Sequence, residues 1–246
     1  MTDYLTSFDS NINVVIIGAS GGIGQVFTNH LADHPKIDKL LLLSRSKPSS
    51  IPEKAEWQSF DMTDEARVQE IADSLSYKIH LIICATGMLH DDNTQPEKSL
   101  RDIDLDNFQK VFATNTHGPA LVMKHFLPKM DRDTRNVFCA LSARVGSISD
   151  NQMGGWYAYR ASKAALNMLI KNAAIEVGRR NKKATIVGLH PGTVDTGLSK
   201  PFQGNVPEGK LFTAEQSTDY LLKVIDQVDE TQTGKCFDWD AKEILP

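Results

Sequence analysis

The sequence predicts an α/β fold, a doubly wound parallel sheet layered between helices. Three observations predict it. Short apolar runs alternate with longer amphipathic stretches from one end of the chain to the other, which is the strand-helix signature. Several of those runs are apolar without interruption, as strands covered on both faces require. The first run also hands over to a helix through a glycine-rich turn.

The elements follow in order. Asn13 to Gly18 (NVVIIG) reads as the first strand and Gly22 to His34 as the helix after it, ending at His34-Pro35. Lys39 to Ser44 (KLLLLS) is the second strand and Glu56 to Phe60 a short third. Thr63 to Ser76 is a helix that Thr63 or Asp61 would cap. Lys78 to Cys84 (KIHLIIC) is the fourth strand. After a polar loop at Leu89 to Ser99, one helix is expected through Leu105 to Met130, with Asn115 near its middle. Asn136 to Leu141 is the fifth strand, Trp156 to Arg180 a long helix and Lys183 to Leu189 the sixth strand. A loop with Pro191, Gly192, Pro201, Gly204 and Pro207 precedes a helix at Ala214 to Val228 and a last strand near Lys235 to Trp239. No repeat, low-complexity tract or linker divides the chain, so 1–246 reads as one domain.

Composition narrows the function. The 246 residues are 41% hydrophobic, 24% charged and 7% aromatic, an ordinary globular balance. With 27 basic and 31 acidic residues the net charge is −4, so no basic footprint favours nucleic acid or an anionic membrane. Residues 1–10 lack a basic patch followed by an apolar segment, and runs such as Leu40 to Leu43 are far below membrane-spanning length, so a cytoplasmic protein is expected. Cys84, Cys139 and Cys236 lack CxxC spacing and read as packing thiols rather than disulfides or zinc ligands. His30 and His34 are spaced i, i+4 without a third ligand and read as a solvated pair, so no metal is expected.

The glycine turn, Gly18-Ala19-Ser20-Gly21-Gly22-Ile23-Gly24, permits close backbone approach to a pyrophosphate at a helix N-terminus. No Gly-Lys-Ser/Thr follows, which excludes a Walker-type loop and favours a dinucleotide. At the end of the second strand a carboxylate would suit NAD and an arginine NADP; Ser44-Arg45-Ser46 stands there, so NADP is expected, with NAD the lesser alternative. Asp61 and Met62 could contact adenine, Asp61 being otherwise only a helix cap.

Two tyrosines precede Lys163. At about 100° per residue, Tyr159 is about 400° from Lys163 and shares its face, while Tyr157, about 600° away, points nearly opposite. Tyr159 is the candidate acid/base, since a nearby ammonium is expected to lower a phenol pKa from about 10.

Taken together, GASGGIG (18–24), ATG (85–87), Asn115 in NTHG, SARVGSI (142–148), YRASK (159–163) and HPGTVDT (190–196) resemble the short-chain dehydrogenase/reductase family, in family order across nearly the whole chain. SARVGSISDNQMGGWYAYRASKAALNML and PGTVDTGLSKPF resemble more specifically the branch of C-factor signalling proteins and sniffer-type carbonyl reductases. The resemblance implies a Rossmann-type three-layer fold, strand order 3-2-1-4-5-6-7, and NADP(H)-dependent interconversion of a carbonyl and an alcohol. It implies Tyr159 as general acid, Lys163 lowering its pKa and binding the nicotinamide ribose, and Asn115 holding a water of the proton relay. Gly18, Ser20, Ile23 and Gly24 would surround the pyrophosphate, with Gly22 in the same turn. Gly87 would lie beside the adenosine ribose, and Pro191, Val194 and Thr196 by the carboxamide.

One position departs from the pattern. The serine that binds the substrate carbonyl in many relatives falls on Ala143, leaving Ser142, Ser147 or neither as its replacement. Ser142 is preferred, although a one-residue slip on a regular strand turns a side chain to the other face. A loop at about 197–212 with Met153, Trp156 and Phe202 would wall the substrate pocket, Trp156 being alternatively core or a subunit contact. Two rivals stay open: a dinucleotide-binding signalling protein with little turnover, and a dehydratase or epimerase. Family members pair their two long helices, so a homodimer or homotetramer is expected.

Overall fold

The computed structural model describes residues 4–9 and 11–246; the reading of residues 1–10 draws partly on 1–3 and 10, which lie outside the described residues. Among the described residues, strands β1 (Ile12–Ile17), β2 (Ile37–Ser44), β3 (Ala55–Ser59), β4 (Leu81–Cys84), β5 (Asn136–Leu141) and β6 (Ala184–His190) form the body of one sheet. The ribbon β7 (Thr193–Val194) and β8 (Leu211–Phe212) stands apart from it, and β9 (Cys236–Asp238) and β10 (Glu243–Ile244) extend its edge. The sheet order is β10-β9-β6-β5-β4-β1-β2-β3. This is the expected 3-2-1-4-5-6 with β9 in seventh place, all parallel, plus an eighth strand, β10, antiparallel to β9.

Alternate residues of the central strands feed two apolar layers, which is why their sequences are apolar without interruption. Val14, Ile16, Leu40, Leu42, Val137 and Val187 pack on one face under helices α1 (Gly22–Ala32) and α6 (Ala214–Gln227). Val15, Ile17, Leu41, Ile82, Phe138 and Ile186 pack on the other. That face is covered by α2 (Glu65–Ser74), α4 (Gly118–Phe126) and the 21-residue α5 (Tyr157–Val177). No helix of the described residues is long and apolar enough to cross a membrane.

The single helix expected at Leu105 to Met130 is corrected. The structure has α3 (Leu105–Phe112), a π-type turn at Ala113–His117, α4, and a 3-10 turn at Leu127–Lys129. Pro119 lacks the N–H that the Asn115 carbonyl would accept in an α-helix, so the ladder widens where Asn115 sits. The cap of α2 is also corrected. Asp64 accepts from Arg67 N at 3.2 Å, whereas Asp61 accepts from Thr63 N at 2.9 Å and Thr63 Oγ1 at 2.7 Å. His30 and His34 are not a solvated pair: His34 is buried, with Nε2 3.2 Å from Tyr4 O, and His30 Nδ1 lies 3.3 Å from Asp219 Oδ1.

Candidate active site

The strands end, at their carboxyl side, on the glycine turn. Gly18 has φ +86°, a left-handed conformation that favours glycine, and a side chain at Gly24 would put Cβ 2.1 Å from Gly18 O. A Cβ at Gly22 would meet Thr196 Cγ2 at 2.8 Å, so the fold brings Thr196 onto the turn. Helix α1 begins after Gly21, which offers no side-chain cap, and has no acidic residue in its first turn. Its amides, beside exposed Ser20 and Gly22 and half-buried Ile23, therefore fit an anion such as a pyrophosphate.

On the flank toward β2, Ser44 is buried; its Oγ donates to Ser46 O at 2.7 Å and accepts from Trp57 Nε1 at 3.0 Å. That hydroxyl is committed inside the protein, and the exposed group at this strand end is Arg45. The bonds that Asp61 accepts from Thr63 hold its carboxyl below the ordinary range, with a smaller contribution from the Arg45 guanidinium. Met62 is buried against Gly118, where a Cβ would fall 2.5 Å from Met62 Cγ. Gly87 faces the other end of the cleft: a Cβ there would be 3.8 Å from Lys163 Nζ and 3.9 Å from both Asn115 Oδ1 and Leu198 Cδ1. The segment from Pro191 to Thr196 is fixed by β7–β8 pairing, which buries Val194, and by Ser217 Oγ donating to Pro191 O at 2.8 Å.

At that end Asn115, Tyr159 and Lys163 come together, all buried. Lys163 Nζ lies 5.8 Å from the centre of the Tyr159 ring and donates to Leu141 O at 2.8 Å. The Asn115 carboxamide takes Met88 N on Oδ1 at 2.8 Å, and its Nδ2 donates to Met88 O at 2.8 Å and Ser162 Oγ at 3.1 Å. Ser162 Oγ in turn donates to Tyr159 O at 2.8 Å. Both amide hydrogens of Asn115 are thereby used within the protein, so the side chain clamps the loop after β4. Burial pushes the Tyr159 phenol up to about 12 and the Lys163 ammonium down to about 8. The tyrosine is therefore raised where the sequence reading expected it lowered, and burial is the cause.

Ser142 does not join them. Its Oγ donates to Asn167 Oδ1 at 2.6 Å, whereas Ala143 packs with Tyr159 and Leu89 in an apolar cluster. Ala143 is extended (φ −153°, ψ 148°), so residues 142 and 143 face opposite ways, and the Ser142 hydroxyl lies on the Asn167 side. Ser147 Oγ accepts from Asp150 N at 3.1 Å and lies 3.3 Å from Ser149 Oγ, within its own turn.

The wall beside Tyr159 is apolar: Val145, Trp156 and Phe202 pack on the Leu89–Ala143–Tyr159 cluster. Trp156 stands edge-on to Tyr159 at 6.2 Å and to Phe202 at 5.2 Å, while Met153 is 90% exposed and takes no part in this packing. His90, which sequence reasoning missed, stacks its edge on Phe202 at 5.4 Å and lies 3.1 Å, by Nε2, from Gly197 O. It comes from the loop after β4, and nothing in its spacing links it to the loop at 197–205.

The short chain dehydrogenase family model matches residues 12–206. The chain belongs to the short-chain dehydrogenases. It is thus an oxidoreductase by family, on a fold that holds a nicotinamide dinucleotide and acts on small molecules. Over 146 residues it is 32% identical to the C-signal of Myxococcus xanthus, covering 59% of this chain and 82% of that one. It is 27% identical over 225 residues to the 1-hydroxy-2-glutathionyl-2-methyl-3-butene dehydrogenase of Rhodococcus sp. (strain AD45), covering 90% and 94%. Among solved structures, the NADPH-bound carbonyl reductase from chicken fatty liver superposes with a TM-score of 0.82 at 24% identity, over 97% of this chain and 100% of that one. The carbonyl reductase Sniffer of D. melanogaster gives 0.82 at 19% identity, over 96% and 100%. The branch resemblance read from residues 142–169 agrees with these relatives.

Proposed function

We propose that the chain is an NADP(H)-dependent oxidoreductase that interconverts a small carbonyl compound and its alcohol. The observation that carries this reading is the meeting of Tyr159, Lys163 and Asn115 at the strand ends, next to an uncapped helix start on a glycine turn. When bound, NADPH supplies the hydride. Gly18, Ser20, Gly22, Ile23 and Gly24 hold its pyrophosphate, Arg45 its 2′-phosphate, and Pro191, Val194 and Thr196 its carboxamide. Asp61 and Met62 flank the adenine side, Gly87 lies beside the adenosine ribose, and Lys163 binds the nicotinamide ribose.

Tyr159 donates the proton to the carbonyl oxygen. A phenol held near 12 stays protonated at neutral pH, which suits the direction of reduction. Lys163, bonded to Leu141 O, keeps a donor beside the phenol. Oxyanion stabilisation falls on Tyr159, because Ala143 brings no hydroxyl. The substrate class follows from the wall: Leu89, Val145, Trp156 and Phe202 favour an uncharged apolar carbonyl compound, with the segment at about 197–212 closing the pocket. The domain is one unit over 1–246, and a homodimer or homotetramer is built on the outer face of α5, where Met168 and Ile175 are 61% and 50% exposed.

Stoichiometric NADPH oxidation against a panel of apolar aldehydes and ketones tests the reaction. Tyr159→Phe is expected to lower kcat by about 10²- to 10⁴-fold with NADPH binding nearly unchanged. Full activity in that variant removes the mechanism. A second reading, a regulatory dinucleotide-binding protein with little turnover, is favoured by Ala143 and by the identity to C-signal. NADPH binding without oxidation across the panel would establish it.

A further inference from the structure

Helix α5 carries both Tyr159 and Lys163, yet its start lacks any cap of its own. The residue before it is Trp156, in a left-handed conformation (φ 51°, ψ 46°) and without a side-chain acceptor. Gly154 and Gly155 before it are left-handed too, at φ +64° and +65°. Three such residues in succession, the last bearing an indole, need an outside hold.

Glu97 supplies it from the loop between β4 and α3. Its carboxylate Oε2 accepts from Ala158 N at 3.1 Å, and its main-chain O accepts from Trp156 N at 2.5 Å. The residue is 3% exposed, and no Lys, Arg or His pairs with it among the described residues. A buried carboxylate without a cation needs compensation, and here the positive end of a 21-residue helix provides it. The arrangement grips the residues immediately before Tyr159 and the indole that stands edge-on to it. The loop carrying Glu97 is fixed at its other end, because Asn115 holds Met88, and in its middle, where Lys110 pairs with Asp91. Arg160 completes the clamp: its Nε donates to Gly154 O at 3.2 Å and Gly155 O at 3.1 Å.

We propose that Glu97 is a positioning residue for the Tyr159 phenol, acting as a cap in trans on the first turn of α5 and as a lock on Trp156. It touches neither reacting atoms nor Tyr159 itself. The inference rests on the reading of Tyr159 as the proton donor. Its consequence is that the loop following β4 and the catalytic helix form one mechanical unit, so damage at Glu97 falls on proton transfer and not on dinucleotide affinity.

The test uses the full chain as wild type, Glu97→Ala and Glu97→Gln, the glutamine keeping an acceptor for Ala158 N. Backbone hydrogen exchange at 156–159 reads the cap directly. Phenolate titration, followed as an absorbance difference against Tyr159→Phe, reads the tyrosine without substrate. In Glu97→Ala exchange in the first turn is expected to rise. The phenol midpoint should fall by about one pH unit toward its ordinary value as water reaches the ring. With a small misplacement of the donor, kcat should drop about 10- to 100-fold at unchanged KM for NADPH. Glu97→Gln should restore all three to near wild type.

A folded Glu97→Ala with wild-type titration and kcat overturns the proposal. So does a loss that glutamine fails to restore, which would make charge and not the clamp responsible. Should Glu97→Ala not fold, Glu97→Asp replaces it, since the shortened side chain withdraws the acceptor while keeping the charge; wild-type titration there is equally fatal. If the wild type oxidises no NADPH, the proposed reaction fails, and exchange and titration still decide on Glu97.

Discussion

Asn115 grips Met88 by both of its main-chain polar atoms, at 2.8 Å each way, across 27 residues of sequence. The bond pair mimics a strand ladder made by one side chain. It explains why a polar residue sits wholly buried in a widened helical turn and why the loop after β4 keeps its place over the cleft. Asn115→Ala would leave Met88 N and O without partners and deprive Ser162 Oγ of a donor. The expected cost is about 2–4 kcal/mol of unfolding free energy, from about 1–3 kcal/mol per stranded buried group, measured by urea titration. A change below about 0.5 kcal/mol would show that water or a shifted loop replaces the clamp.

Ser142 and Ala143 make opposite predictions. Ser142 Oγ is held by Asn167, so Ser142→Ala is expected to leave kcat within about threefold and to cost ~1 kcal/mol of stability. Ala143 is 8% exposed and packs with Tyr159, so Ala143→Ser introduces a hydroxyl beside the phenol, where the proposed reduction would develop an oxyanion. An added donor of that kind is worth up to about 10²-fold in kcat. Steady-state kinetics of both variants decide the matter. A large loss in Ser142→Ala with no effect of Ala143→Ser would return the donor role to Ser142.

Arg45 stands exposed at the end of β2, where the buried Ser44 hydroxyl is already engaged by Ser46 and Trp57. In the proposed reading the arginine is then the group that distinguishes a 2′-phosphate from a 2′-hydroxyl. Arg45→Ala should raise KM for NADPH by about 10-fold or more, the equivalent of ~1.4 kcal/mol, with KM for NADH nearly constant. The effect should shrink at high salt, since the pair is exposed. Equal changes for both nucleotides would refute the NADP assignment.

What could be read in the sequence was what is local and periodic. The β5 boundaries, Asn136 to Leu141, are those of its apolar run, and Gly18, Gly22 and Gly24 marked the turn because only the missing side chain permits that path. Helix spacing singled out Tyr159 and Lys163 and the family resemblance Asn115, and the fold brings the three together. What escaped was decided between segments. Pro119 and the pull of Met88 break the helix at Asn115, and neither effect alters hydrophobic periodicity. The direction of Ser142 depended on a single extended residue, Ala143, at a strand end. The strands β7, β8 and β10 have two residues each, too few for any period. Glu97 and His90 act on segments far along the chain, and a lone acidic or imidazole side chain in a polar loop carries no sign of that.

The depressed ammonium of Lys163 yields a pH prediction whose direction is fixed. Burial moves it from its ordinary 10.5 to about 8, so between those values the unfolded chain holds a proton at this site and the folded chain does not. Stability from this group is therefore complete above about pH 10.5 and is lost as pH falls through about 8, where a buried ammonium must be carried. Lys163→Met keeps most of the length and removes the charge. Below about pH 7 it should be more stable than wild type by up to ~3 kcal/mol, and the difference should close as pH rises toward 10. Tyr159 acts in the opposite sense and higher up: raised from 10.0 to about 12, its contribution persists below 10 and is lost only as pH rises through 12. The two windows do not overlap below about pH 10, so urea titrations between about pH 6 and 9.5 isolate the lysine. Activity should move against stability over the same range. If the ammonium is the working form, kcat falls as pH rises through about 8, and Lys163→Met, already impaired, shows no such limb. A stability difference independent of pH would mean that Lys163 is solvated in the folded protein and that its bond to Leu141 O does not confine it.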